Sequence, residues 1–281
     1  MPGTTERRAT GPLSGYRALV GTMRRDARRA PALAWRRFRH EMAVRHRSSL
    51  LALPLAFAPA LVVTLWATLA SRAKILTVHS IPIPYPAWVL ISVVLWQAFA
   101  EALAAQVEGL EQERRLLAKV DLPAEAVILE RFAGVLYQLL LKLVLGLAVV
   151  LLFRIHLPGI AWALPFLALP LAALGTALGL WVAPFAALYP DLGRALPAIT
   201  TVGFFLTPVV FAVPDTGAFR WLLLANPVTP LLGWARDLAV AGVISHPVGA
   251  SASAILVAVL LPTGWFLYRM ALPYVLDQSN G

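Results

Sequence analysis

The sequence predicts an all-α integral membrane protein, on three observations. Of its 281 residues, 59% are hydrophobic and 14% charged, with a mean hydropathy of +0.75, against about 25% charged in a soluble domain. Apolar stretches long enough to cross a bilayer recur along the chain. Lys and Arg gather on alternate sides of those stretches, as the positive-inside rule expects.

The elements follow in order. Residues 1–47 hold twelve Arg against Glu6, Asp26 and Glu41. Because this block abuts an apolar run, attraction to anionic headgroups explains it better than nucleic acid. Tyr16, Leu19, Val20, Met23 and Ala27, then Ala34, Trp35, Phe38 and Met42, recur at helical spacing with Arg between them. The spacing predicts an amphipathic helix in the inner interface rather than a bare positive tail, with Trp35 and Phe38 in the acyl boundary. No small-residue cleavage site follows the first apolar run, so the mature chain is expected to keep its N-terminus.

A membrane helix needs roughly 20 apolar residues. Runs at 48–71, 86–105, about 124–153, 160–183, 195–214 and 247–269 give six spans. Pro86 stands in the first turn of the second, where its missing N–H costs nothing. The 15-residue stretch 221–235 is too short to cross and is broken by Pro227 and Pro230. It predicts a re-entrant hairpin, since irregular backbone at membrane depth needs protein or water around it. With the N-terminus inside, the inner segments carry 12, 4, 1 and 1 basic residues and the outer ones 2, 1 and 2. Both termini are therefore expected in the cytoplasm. The resulting organisation is a basic segment (1–47), a six-span domain (48–270) and a short tail (271–281).

Several chemistries lack their residues. There is no phosphate-cradling G-x-x-x-x-G-K-[ST] loop and no G-x-S-x-G elbow. His40 and His46 are six apart, so they lie on different helix faces and cannot share a metal. There is no cysteine. Ionisable residues inside spans are costly and tied to function or to a partner. Lys142, near the middle of the third span, is either a buried structural Lys or part of a cavity receiving an anionic group. Glu101 lies near the inner end of the second span, and a pair between the two is not expected because their depths differ by about two helical turns. Glu130 and Arg131 stand near the inner end of the third.

The segment 108–125, EGLEQERRLLAKVDLPAE, interrupts this apolar chain. Glu108, Glu111 and Glu113 precede Arg114, Arg115 and Lys119, an order that suits a helix dipole. Leu110, Leu116, Leu117 and Val120 form an apolar stripe. The reading is a short amphipathic helix over about 108–121, parallel to the membrane on its cytoplasmic side. Its net acidity argues against lying on anionic lipid and favours a protein groove.

Five stretches then carry a resemblance: YPAWVLISVVLWQAFAEAL (85–103), LLAKVDLP (116–123), YPDLGRALP (189–197), FFLTPVVFAVP (204–214) and NPVTPLLGWAR (226–236). In motifs, order and spacing the chain resembles the permease subunit of ATP-binding-cassette exporters of polysaccharide, the O-antigen, capsule and teichoic-acid class, over most of its length. It departs from that pattern at Ser92, Ala118, Asp121 and Pro190. The resemblance implies a homodimer in the bacterial cytoplasmic membrane and a separate ATPase that holds ATP and magnesium, with no cofactor bound by this chain. It implies that Glu111, Glu113, Arg114, Arg115, Leu117 and Lys119 contact that ATPase as a coupling helix. It also implies that 214–240, with Asn226, Pro227 and Pro230, gates the outer mouth, and that the cargo is a lipid-linked glycan. Sugar faces stack on aromatic rings, which makes Trp96, Phe99, Phe204, Phe205, Phe211 and Trp234 pathway candidates beside Lys142. The same architecture could export a drug, lipid or antibiotic. A membrane-embedded glycosyl- or phospho-transferase and a secondary transporter are the alternatives from other classes.

Overall fold

The computed structural model describes residues 12–48, 52–74, 81, 83–119, 122–152, 154, 159–214, 216–244 and 247–277. Among the described residues most are helical and none is in a strand. In order, the elements are α1 (Pro12–Ser48), α2 (Ala52–Arg72), α3 (Tyr85–Lys119), α4 (Ala124–Leu152), a 3₁₀ turn (Gly159–Ala163), α5 (Leu164–Leu167), α6 (Leu169–Leu188), α7 (Pro190–Phe205), α8 (Ala218–Ala225), α9 (Val228–Ala241) and α10 (Pro247–Asp277).

Four stretches are long and apolar enough to cross a membrane: Tyr85–Gln112, Ala124–Leu151, Ile160–Leu188 and Pro247–Leu276. They coincide with the expected second, third, fourth and sixth spans. In α2 the apolar part among described residues is the shorter Phe57–Arg72. The expected fifth span is not one helix. α7 stops at Phe205, and 206–213 is irregular. Pro208 is the cause: it disfavours helical backbone at Thr207 and removes an N–H from the ladder.

α3 lies at the centre, with α6, α4, α2 and α9 against it. Its contact with α6 depends on missing side chains. A Cβ at Gly175 would lie 2.1 Å from the Phe99 carbonyl oxygen, and one at Gly179 would lie 2.8 Å from that of Leu103. These glycines, four apart on one face, let two backbones touch, which is how helices gain attraction where no hydrophobic effect separates protein from lipid. Across the other side of α6, a Cβ at Gly264 of α10 would lie 2.7 Å from Trp181 and 3.0 Å from the Ala177 oxygen. Trp181 Nε1 donates to the Leu260 oxygen at 3.2 Å, tying the same pair of helices.

The expected short helix over 108–121 is corrected. Residues 108–119 are the straight continuation of α3, a 35-residue helix about 52 Å long at roughly 1.5 Å per residue. Nearly every residue of 100–119 is a strong helix former, so nothing ends the helix. Gly109 is tolerated because the Arg131 side chain packs on it, with Cγ at 3.1 Å from where a Cβ would stand. The chain turns back only before Pro123, whose oxygen accepts the Ala126 N–H at 2.9 Å at the start of α4.

α1 is also corrected in one respect. Met23, Ala30, Ala34, Phe38 and Met42 are buried in a helix that packs along α4. Phe38 meets the Tyr137 ring at 6.1 Å, so it belongs to a protein interface rather than the acyl boundary. Trp35 remains 56% exposed. The i, i+4 stripe 30–34–38–42 is used on α4, leaving the Arg-rich face outward. Tyr16 and Leu19 have side chains outside the described residues.

Candidate functional site

The polar chemistry falls into three places: the segment after α7, the α3–α4 seam and the end of the bundle where α3 gives way to α4.

The irregular 206–213 segment is held by side chains from α3, from α9 and from the turn between α8 and α9. The Tyr85 hydroxyl donates to the Val210 oxygen at 2.6 Å, at the start of α3. Arg236 of α9 donates through Nη1 to the Pro208 oxygen at 3.0 Å and through Nε to Asp237 at 3.0 Å. Its guanidinium lies over the Trp88 ring, 4.1 Å from the centroid. Asn226 donates through Nδ2 to Thr207 Oγ1 at 2.9 Å and the Leu206 oxygen at 3.3 Å, and its Oδ1 accepts the Val228 N–H at 3.0 Å. Three carbonyls of this segment, those of Leu206, Pro208 and Val210, are thus met by side chains, as broken backbone in an apolar setting requires.

The predicted re-entrant segment forms two helices, α8 and α9, joined at Asn226 and Pro227. Asn226 closes the turn ahead of α9, its Oδ1 accepting the Val228 N–H two residues on. Pro227 stands where the missing N–H has no helical partner to lose. Pro230 is buried in α9 and packs on Gly249 of α10, where a Cβ would come within 3.1 Å.

Four of the aromatic candidates meet. Trp96 lies 5.2 Å from Phe99 and 6.0 Å from Phe204, and Phe204 lies 5.5 Å from Phe205. Trp96 and Phe99 are buried and Phe205 is exposed, so the cluster runs from the α3 core to the outer face of α7. Gly203 makes room for it: a Cβ there would lie 3.1 Å from Trp96. Phe211 is elsewhere, stacked with Phe219 of α8 at 6.2 Å. Trp234 lies half-buried on α9 against the core.

Lys142 is buried and forms an ion pair with Glu101, which corrects the expectation that they stand at different depths. The reason is the unbroken α3. Glu101 precedes the end of α3 by as many residues as Lys142 follows the start of α4. In an antiparallel helix pair such residues stand at one level, and laying 108–121 flat would have misplaced one of them. Lys142 also lines an apolar cavity of about 340 Å³ between α3, α4 and α5, among Leu90, Ile91, Val94 and Pro165. Breaking the pair leaves one charge without its partner, whereas removing both removes the problem. Thermal unfolding of Glu101→Gln, Lys142→Gln and the double variant should therefore give a double less destabilised than the sum, with coupling on the order of 1 kcal/mol.

Toward the C-terminal end of α3, Glu108, Glu111 and Gln112 are exposed. The Glu111 carboxylate stands beside the first turn of α7, 3.7 Å from where a Cβ on Gly193 would be. The side chains of Glu113, Arg114, Arg115, Leu117 and Lys119 lie outside the described residues. A second set of charges ties the ends together: Arg37 of α1 pairs with Glu130 of α4, and Arg269 of α10 pairs with both Asp26 of α1 and Glu125 of α4. Trp265 Nε1 donates to Glu125 at 3.1 Å.

Sequence reasoning missed the roles of Arg236, Tyr85 and the Arg269 cluster. Arg236 carried a signal, since an Arg flanking an apolar stretch rich in Pro needs an acceptor there. The Arg269 cluster carried none, its members being far apart in sequence.

An all-helical chain with four helices long and apolar enough to cross a membrane and a hairpin of short helices at one end has the architecture of a multi-pass membrane component. The particular family is the one described as ABC-2 type transporter, which matches residues 31–239. The chain belongs to it. It is the membrane component of an ATP-binding-cassette transporter and works with an ATPase held in a separate subunit. No curated protein matches the chain.

Proposed function

We propose that the chain is the membrane-spanning half of an exporter for a lipid-linked polysaccharide, acting as a homodimer of six-span subunits in the bacterial cytoplasmic membrane with both termini inside. The observation that carries the transport mechanism is the position of α7. Its first turn lies beside Glu111 on the cytoplasmic extension of α3. Its other end bears Phe204 and Phe205 and leads into the 206–213 segment fastened by Arg236 and Asn226. Of the α7 side chains only Leu196 is buried, so little packing opposes its displacement. A push on the α3 extension from an ATPase that closes on ATP would reach the aromatic cluster and the outer segment through this one helix.

In this reading Glu111, Glu113, Arg114, Arg115, Leu117 and Lys119 form the ATPase contact. The irregular 206–213 segment, α8 and α9 form the outer gate, with Asn226, Pro227 and Pro230 setting its turn. α7 would cross as the fifth span only together with 206–213, the two being one broken element. Trp96, Phe99, Phe204 and Phe205 are the strongest pathway candidates because they are contiguous. An aromatic surface suits the apolar faces of sugars.

Two results test this. Reversing charge with Glu111→Lys and Glu113→Lys should lower ATPase stimulation severalfold while membrane insertion stays normal; full stimulation would remove the coupling role. Deleting the protein should make lipid-linked glycan accumulate on the inner face of the membrane. Unchanged surface glycan in that strain would favour the same architecture carrying a drug or a lipid.

A further inference from the structure

The cytoplasmic side carries an open cleft of about 580 Å³ between α1 and the first turns of α4, lined by Arg36, Arg37, His40, Glu41, Glu130 and Arg131, with Val44 at one end. We propose that it binds the headgroup phosphate of an anionic inner-leaflet phospholipid. This goes beyond the transport reading and rests only on the placement of α1 at the cytoplasmic side, so it holds whichever cargo is carried.

Two of the arginines, Arg37 and Arg131, are held in place before any ligand arrives. Glu130 is buried and forms an ion pair with Arg37, fixing that guanidinium at the floor. The Arg131 stem packs against Gly109 of α3, and its Nη2 donates to Gln112 at 3.1 Å. An arginine positioned this way loses less rotamer entropy on meeting a phosphate, and its planar fork matches two phosphate oxygens. Arg36 and His40 are exposed and, four residues apart, share one edge of α1. Of the two carboxylates, Glu130 is already engaged by Arg37. Three guanidiniums against the two carboxylates of Glu41 and Glu130 leave the cleft cationic.

The level of the cleft favours a lipid phosphate over a free one. Beyond Arg131, α4 has no charged residue except Lys142 as far as Leu151, so the cleft wall stands where the apolar part of that helix begins. Along α1, Arg36 and His40 lead one turn further to Val44, which is 55% exposed, toward the apolar helix α2. A phosphate seated between Arg36 and Arg131 would therefore have apolar surface on its membrane side, as glycerol and the first methylenes require. Basic clefts at this level between helices are where anionic headgroups are retained.

The test uses the full-length protein in a neutral detergent, with retained lipid read by native mass spectrometry and stability by thermal unfolding. Added phosphatidylglycerol should be retained and should raise the unfolding temperature, whereas phosphatidylcholine at the same concentration should do neither. Arg36→Gln should weaken retention roughly tenfold, and Arg36→Gln with Arg131→Gln more than that. Gly109→Ala, which displaces the Arg131 stem without touching a charge, should weaken it too. Arg36 is exposed, so its single variant keeps the test decisive even if the double variant folds poorly. Equal retention by wild type and Arg36→Gln would overturn the proposal. So would displacement of the lipid by millimolar inorganic phosphate, which would assign the cleft to a free anion.

Discussion

Gly175→Leu is expected to abolish assembly of the folded transporter, and Gly175→Ala to leave little of it. At Gly175 the obstacle is the Phe99 backbone, 2.1 Å from where the first added carbon would stand. A flexible side chain could swing aside, but a helix backbone moves only by parting α3 from α6. That separation would also open the contact at Gly179. Overpacking in a well-filled core costs about 1–3 kcal/mol and more where backbone must shift. With no hydrophobic force drawing helices together in lipid, the close contact is itself the source of attraction. Gly134→Ala is the control, because open space surrounds its Cβ position. Size-exclusion profiles in detergent should show the Gly175 variants aggregated and Gly134→Ala unaffected. A monodisperse Gly175→Leu protein with normal thermal stability would refute the packing described for α3 and α6.

Arg236→Leu is expected to destabilise the protein by about 3 kcal/mol and to stop transport. Arg236 is buried, and it serves the Pro208 oxygen, the Asp237 carboxylate and the Trp88 ring at once. Leucine would leave Pro208 without that donor and Asp237 without its cation in an apolar setting. Arg236→Lys keeps the charge but loses the fork, so it can serve only one acceptor well. It should fold with stability between wild type and Arg236→Leu, and its transport should fall more than its stability, because the 206–213 segment would be loosely fastened. Equal stability for all three proteins would mean that Arg236 does not hold the 206–213 segment.

The starts of α3, α4 and α10 were legible in the sequence because apolar runs follow Pro86, Pro123 and Pro247. Where the reading failed, the cause was local. Treating 108–121 as a separate helix followed from its charge, yet charge does not end a helix, and Pro123 does. That one choice also misplaced Glu101 relative to Lys142. The break in α7 was written in Pro208, but the long apolar run around it outweighed one residue. Phe38 was assigned to lipid because periodicity shows that a face is apolar without showing what covers it. Of the candidate site, the aromatic residues were individually visible as types. Their grouping of Trp96 with Phe204, and the exclusion of Phe211, required the packing of α7 on α3.

The account stands most directly on ATP-driven movement of a lipid-linked glycan. Proteoliposomes holding this chain and its copurified ATPase, loaded with a labelled lipid-linked glycan on the ATPase side, would measure it. The account predicts that ATP moves the sugar label to the opposite leaflet, and that the Glu111→Lys, Glu113→Lys protein does so severalfold more slowly. ATP hydrolysis with no change in the side of the label, while a labelled drug or phospholipid is moved instead, would contradict it.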